Sequence, residues 1–412
     1  MKDSPTRFGL SGQAAESLPA LTALRGIAAL LVVAFHFDIF IARLLPGGLT
    51  PASGKLYLMV DLFFVLSGFI MCHVYGHQFS QGWCKQTFRR FILARFARIY
   101  PLHLFSLVLV IGLWALMYLT DSFNRMFELT YDISALPAHL VLLQAAGTHN
   151  EATWNSPSWS ISVEWMVYFL FPWLALLLAK GNKATPWLLL LFCAAGYLAI
   201  MFYFQPAYWA RRWDLLGIPV EYPYPTGTID VLTGSAILRC LCGFILGMLC
   251  HRLYMLGTAA KWAARRFLPW LIILVLVAGW HGQWLIDPLA VVLFTGIILY
   301  LANSPKGNGK GLERPVWQWL GDISYSMYLL HMPMIFAFIG VRRALYQSDQ
   351  LALPMGYDLT LWQSWGLLAL MFVLLCLFST LSYRYIENPA RYWLKSRFSQ
   401  SGVTQGPFLV MK

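Results

Sequence analysis

"LTALRGIAALLVVAFHFD", Leu21 to Asp38, opens the first long apolar run of the chain. The run can cross a hydrocarbon layer of about 30 Å, yet it holds an arginine near its start and a histidine eleven residues later. An ionisable side chain at the centre of a membrane helix costs about 2.5–3.5 kcal/mol on insertion scales, so something must compensate. On an α-helix, eleven residues rise about 16 Å and turn about 20° past three full circles. Arg25 and His36 therefore share one face at different depths. With Asp38 and Asp61 available near the His36 end, the pair reads as the lining of a polar passage.

The rest of the chain repeats the apolar theme. Of 412 residues, 59% are hydrophobic and 12% charged, with a mean hydropathy of +0.60. Soluble domains devote about a quarter of their residues to charge. The composition is that of a polytopic membrane protein. A net charge of +12 invites nucleic acid as a partner, but the basic residues alternate with apolar runs instead of forming one stripe, so no nucleic acid is expected. The seven cysteines lie mostly in or beside apolar runs and show no disulfide or zinc spacing. No metal site is expected.

Runs near twenty apolar residues predict an all-α integral membrane protein of about ten transmembrane helices. They are Leu21–Leu45, Leu56–Tyr75, Ile99–Leu119, Ile161–Ala179, Pro186–Phe204, Leu232–Tyr254, Phe267–Trp280, Trp284–Asn303, Trp317–Val341 and Leu361–Tyr383. The seventh is short, and Asp287-Pro288 interrupts the eighth near its start. Residues 1–20 read as a polar leader with no cleavable signal peptide, 21–392 as the membrane domain and 393–412 as a tail. Lys and Arg crowd the leader, the tail and the loops Lys85–Arg98, Lys180–Lys183, Arg252–Arg266 and Lys306–Arg314. They outnumber those of the opposite loops by roughly three to one, which places both termini in the cytoplasm.

Several segments carry a resemblance. Beside the arginine-x10-histidine pattern of the first run stand "VDLFFVLSGF" (Val60–Phe69), "RFARIYP" (Arg95–Pro101), "WSISVEW" (Trp159–Trp165), "GDISYSMYLLHMP" (Gly321–Pro333) and "ENPAR" (Glu387–Arg391). In order and spacing the chain resembles the membrane-bound acyltransferase-3 family, whose members O-acylate cell-surface carbohydrates. The resemblance implies transfer of an acyl group, usually acetyl from acetyl-CoA, to a sugar hydroxyl at the outer side of a bacterial inner membrane. Some members add an SGNH-type hydrolase domain; this chain looks like the stand-alone kind. No resident cofactor is implied, since the acyl-CoA is a cosubstrate. The partners expected are acyl-CoA, a polysaccharide or lipid-linked oligosaccharide acceptor and membrane lipid; a homodimer is left open.

The residues can be assigned to that chemistry. An anionic nucleotide needs cations at the inner face, and guanidinium forks grip phosphates bidentately. Arg95 and Arg98, three apart on one helical face, together with Arg25 form the expected donor site. His36 sits where the thioester arrives, as general base or as an acyl-accepting nucleophile. Asp61 and Glu164 are expected near it, orienting the imidazole or the acceptor hydroxyl. Trp159, Ser160 and Ser162 are read as an acceptor wall, with Tyr325, His331 and Arg239 in support. Pro333 frees the carbonyl of Leu329. Glu387 and Arg391, four apart, are expected to form a local ion pair. Three alternatives stay open: a succinyl donor or non-polysaccharide acceptor, a transporter or flippase of an anionic substrate, and a catalytically inert scaffold of a polymer-export complex. Topology reporters fused after Lys183 and after Asn150 test the orientation; a cytoplasmic signal is expected from the first alone, and cytoplasmic signal from both would overturn it.

Overall fold

A computed structural model of the protein describes residues 17–46, 53–120, 130–149, 151–215, 227–257, 286–304, 311–346 and 359–398. The first helix, α1 (Pro19–Phe40), starts on a proline, where the missing N–H is one of the donors a helix start leaves unused. Then come α2 (Met59–Ser80), entered through a 3₁₀ turn at Lys55–Leu58, α3 (Lys85–Leu119) and the short α4 (Leu136–Leu140). Next are α5 (Ser158–Lys180), α6 (Thr185–Ala199), α7 (Gln205–Leu215), α8 (Ala236–Met255) and α9 (Ile286–Ala302). The chain continues as α10 (Pro315–Asp322), α11 (Ser324–Tyr346), α12 (Leu361–Ser382) and α13 (Asn388–Phe398). Among the described residues there is no strand. The protein is an all-α integral membrane protein.

Eight helices among the described residues are long and apolar enough to cross a membrane. The apolar α9 is shorter, at 17 residues. The expected span at Phe267–Trp280 lies outside the described residues. Three other expectations need correction. Asp287-Pro288 does not interrupt a span but begins α9, whose first turn it occupies. The span expected at Trp317–Val341 is two helices, broken at Ile323. The fifth runs beyond Phe204, through a π-helical turn at Ile200–Phe204 into α7. The 35 residues of α3 extend over about 52 Å, so Arg95 and Arg98 stand on the same unbroken helix as the apolar run that follows them.

Lipid offers little hydrophobic drive for helix association, so close packing must supply it. The tightest meeting is α2 against α8. Every fourth residue of α8, Arg239, Gly243, Gly247 and His251, faces α2. A Cβ on Gly247 would collide with the Val65 carbonyl, and one on Gly68 with the Phe244 carbonyl. At one end of this seam Arg239 meets Asp61; toward the other, His251 and His73 both lie against Phe69. A second backbone contact joins α1 to α10. A Cβ on Gly26 would lie 2.7 Å from the Gly321 amide nitrogen, and one on Gly321 would strike the Thr22 carbonyl. Two apolar clusters flank α11: Tyr328 and Leu329 belong to the one around α2, α5 and α8, Leu330 and Met332 to the one shared with α1 and α12.

Overpacking a tight contact costs about 1–3 kcal/mol. Gly247→Ala is expected to lower the thermal unfolding midpoint in detergent by that equivalent. Gly112→Ala, where a Cβ meets nothing within 4 Å, is expected to leave the midpoint unchanged.

Candidate active site

The break at Ile323 decides where Arg25 goes. It leaves the Gly321 carbonyl at a helix end, where a cation is favoured. Arg25 Nη2 donates to that carbonyl at 2.9 Å and Nε to Ser324 Oγ at 3.1 Å. Part of the guanidinium therefore holds α1 to the α10–α11 junction.

Other cations gather around it. The charges of Arg25, Arg95 and Arg391 all act on Arg98, and those of Arg391, Arg95 and Arg98 on Lys395. Arg95 donates to the Tyr75 hydroxyl at 3.0 Å. Arg98 lies over the Tyr325 ring at 5.3 Å and pairs with Glu387. Both Glu387 oxygens are used, since Ser326 Oγ donates to the second at 2.9 Å. The local Glu387–Arg391 pair expected from sequence is thus replaced by Glu387–Arg98. A π-helical turn at Tyr383–Glu387 adds a residue to the winding ahead of Glu387 and resets its direction relative to α12, and Arg98 and Ser326 take both of its oxygens. Arg391 is left among the other arginines. Among the described residues, five cations here meet three carboxylates, Glu387, Asp322 and Glu164.

The other end of α1 carries His36, whose Nδ1 lies 2.9 Å from the Val32 carbonyl. A carbonyl only accepts, so Nδ1 carries the proton and Nε2 keeps its lone pair. His331 of α11 repeats the arrangement, with Nδ1 3.3 Å from the Met327 carbonyl. The two rings lie 4.7 Å apart between centroids. Phe35 and Phe40 flank His36 at 4.9 and 6.4 Å, and Tyr328 lies 5.9 Å from His331.

Neither expected carboxylate accepts a hydrogen bond from these imidazoles. Asp61 takes a two-pronged bond from Arg239, at 2.9 and 2.7 Å, because α2 and α8 touch at backbone distance and a buried carboxylate needs a fixed positive charge. Glu164 accepts from the Tyr168 hydroxyl at 2.7 Å, and the Arg95 and Arg98 charges act on it, so it belongs to the arginine side. Trp159 and Tyr57 each pack on the Arg239 guanidinium at 5.3 Å. Ser162 donates to the Leu142 carbonyl at 2.9 Å and accepts from the Ala145 amide at 3.1 Å; it clips a loop. Ser160 shares a 2.7 Å bond with the Tyr328 hydroxyl, which brings it near His331. Tyr325 donates to the Ile99 carbonyl at 2.6 Å.

Sequence reasoning missed three participants. Asp287 accepts from Lys55 at 2.7 Å, from Tyr57 and from the Ile229 amide at 3.2 Å, extending the Asp61–Arg239 network toward Asp230. Outside the helices, burial pushes the Asp230 carboxyl above its ordinary pKa against the pull of Arg239 and Arg212. Arg391 is the second, as above. The third is Asn155, completely buried. Its Nδ2 donates to Leu329 O at 2.9 Å and Ser106 Oγ at 3.0 Å. The Leu329 carbonyl is the one that Pro333 leaves without an in-helix donor, and that vacancy was the available signal.

A family profile described as an acyltransferase domain matches residues 18–384. "Protein 2 in picA locus" of Rhizobium radiobacter is 35% identical over 156 residues, covering 36% of this chain and 76% of its own length. "Acyltransferase MdmB" of Streptomyces mycarofaciens is 26% identical over 77% of this chain and 79% of its own. "Peptidoglycan O-acetyltransferase OatA" of Listeria monocytogenes is 22% identical over 91% of this chain, but only 56% of its own length is covered. No solved structure matches.

Removing the Asn155 amide leaves a buried carbonyl unpaired, at a cost of about 1–3 kcal/mol. Asn155→Ala is expected to lower the thermal midpoint accordingly and to reduce turnover more than substrate affinity, measured on purified protein.

Proposed function

The chain belongs to the type 3 acyltransferase-domain family, and from that premise we propose that it moves an acyl group, acetyl above all, from cytoplasmic acyl-CoA to a saccharide hydroxyl on the outer side of a bacterial inner membrane. One observation carries the reading: a single helix face links an excess of cations at Arg25 to a paired imidazole at His36, about 16 Å farther along. That span suits an acyl-CoA donor, whose phosphates bind at one end while a long pantetheine arm carries the thioester to the other.

Arg25, Arg95, Arg98, Arg391 and Lys395 hold the nucleotide phosphates. The two carboxylates that touch this cluster most closely set its geometry without neutralising it: Glu387 fixes Arg98 and Asp322 lies beside Arg25. The α1–α11 face guides the arm past Tyr325 and Tyr328. His36 Nε2, its lone pair kept free by the Val32 bond, takes the proton of the acceptor hydroxyl as the oxygen attacks the thioester carbonyl. Arg239, Asp61, Asp230, Asp287 and Lys55 form a neighbouring network that holds α2, α8 and α9 in register, with Tyr57 and Trp159 packed on its guanidinium. The lysine and arginine distribution read from sequence supports placing the His36 end outward.

Two variants separate the ends. His36→Ala, at normal abundance, is expected to remove nearly all acyl groups from the surface glycan, read by mass spectrometry of deletion and complemented strains. Arg95→Ala is expected to raise the KM for acetyl-CoA about tenfold or more with a smaller change in kcat, since a charge-assisted phosphate contact contributes about 1.5–3 kcal/mol. Unchanged glycan acylation in His36→Ala would sink the proposal.

A further inference from the structure

The mechanism above leaves His331 unused, although it is completely buried and its ring lies 4.7 Å from that of His36. Its Nδ1 is held by the Met327 carbonyl, and its Nε2 has no hydrogen-bond partner. A buried acceptor without a donor is costly, and this one lies on the ring that faces the proposed base. We propose that His331 shares the proton that His36 withdraws from the acceptor hydroxyl, so that the two imidazoles act as one base. This rests on the acyl-transfer reading and deepens it.

The hydroxyl O–H bond breaks and its proton goes to His36 Nε2, while the oxygen forms a bond to the thioester carbonyl carbon. The imidazolium so formed donates to the His331 Nε2 lone pair, which gains the partner it lacked. The C–S bond then breaks, its electron pair leaves on sulfur, and the proton passes from the histidine pair to give the free thiol. Both rings return neutral, and thioester plus alcohol has become ester plus thiol. The His331 bond exists only once charge has developed on His36, so it stabilises the transition state and not the ground state.

Other titratable groups around the pair are committed elsewhere. On α1, Asp38 accepts from the Leu44 amide and from Ser53, both at 2.5 Å. On α11, the Tyr328 hydroxyl is engaged by Ser160 at 2.7 Å and donates to the Pro157 carbonyl at 3.1 Å. On the turn before α2, Tyr57, whose ring lies 6.4 Å from Phe35, is bonded to Asp287. From α2 and α8, Asp61 and Arg239 hold each other. His331 thus acts through His36 as a positioning residue.

The test is a pH–rate profile of purified enzyme in lipid nanodiscs with acetyl-CoA and an acceptor glycan, for wild type and three variants. Gln at 331 places its amide oxygen near the Nε2 position, Asn places its own near Nδ1, and Phe offers no acceptor. His331→Phe and His331→Asn are expected to lose turnover on the order of 10²-fold. The acid limb of kcat/KM is expected to move down by about one pH unit, because the imidazolium of His36 is no longer stabilised. His331→Gln is expected to recover the limb and to stay within about tenfold of wild type. Equal losses in all three variants with an unmoved acid limb, or a wild-type profile in His331→Phe, would overturn the proposal. If instead His36→Ala keeps full turnover, the acyl-transfer reading itself fails, whatever His331 does; variants are compared at matched abundance and thermal midpoint.

Discussion

Two glycines without side chains let α1 and α10 touch backbone to backbone, and the candidate site is laid out from that crossing. A Cβ on Gly26 would meet the Gly321 amide nitrogen, and one on Gly321 the Thr22 carbonyl. Their contact sets Arg25 beside the end of α10, where the chain breaks and restarts as α11. With the near end fixed, the 3.6-residue period shared by α1 and α11 brings His36 and His331 together farther along. A helix pair that slid by one residue would separate them. In lipid, where apolar surface gives little preference between registers, such steric fixation replaces the hydrophobic sorting that aligns helices in water.

The buried charges follow from the same packing. Taking a carboxylate out of water is costly unless its partner is close and well aligned. Asp61 solves this with both guanidinium prongs of Arg239, against which the Tyr57 and Trp159 rings both pack. Glu387 solves it with Arg98 and Ser326. Neither pair hydrogen-bonds the histidines. The imidazoles are therefore surrounded mainly by aromatic rings, where a proton transfer is felt strongly because little else screens it.

Much of the architecture was legible in the sequence because a membrane span is a long, one-dimensional signal. The helices with Arg25, His36, Asp61 and Glu164 stand within a few residues of where the apolar runs put them. Period alone also placed Arg25 and His36 on one face. What period cannot give is the partner across a helix crossing: Asp61 and Glu164 were read by depth, and lateral contacts sent them to Arg239 and Tyr168. A signal for one such crossing was present in Gly243-Phe-Ile-Leu-Gly247, small residues four apart that admit a neighbouring backbone. The break at Ile323 and the π-helical turn before Asn388 left no comparable trace, since neither needs an unusual residue. The partners of Ser162 and Trp159, a loop carbonyl and the Arg239 guanidinium, were hidden for a related reason, as a serine or tryptophan near a helix start looks the same whether it meets a ligand or a loop.

Pro333 and Asn155 are joined by an economy of donors. The ring of one withdraws an amide hydrogen from the Leu329 carbonyl, and the side chain of the other, 174 positions earlier than Leu329, restores it. Exchange of the proline for an ordinary residue would return the native helical donor and leave the asparagine amide competing for an occupied oxygen. Exchange of the asparagine alone would strand the oxygen in apolar surroundings. Each position thus limits what evolution can accept at the other, and related chains are free to vary there only by changing both, or by finding a different hydrogen for the same oxygen.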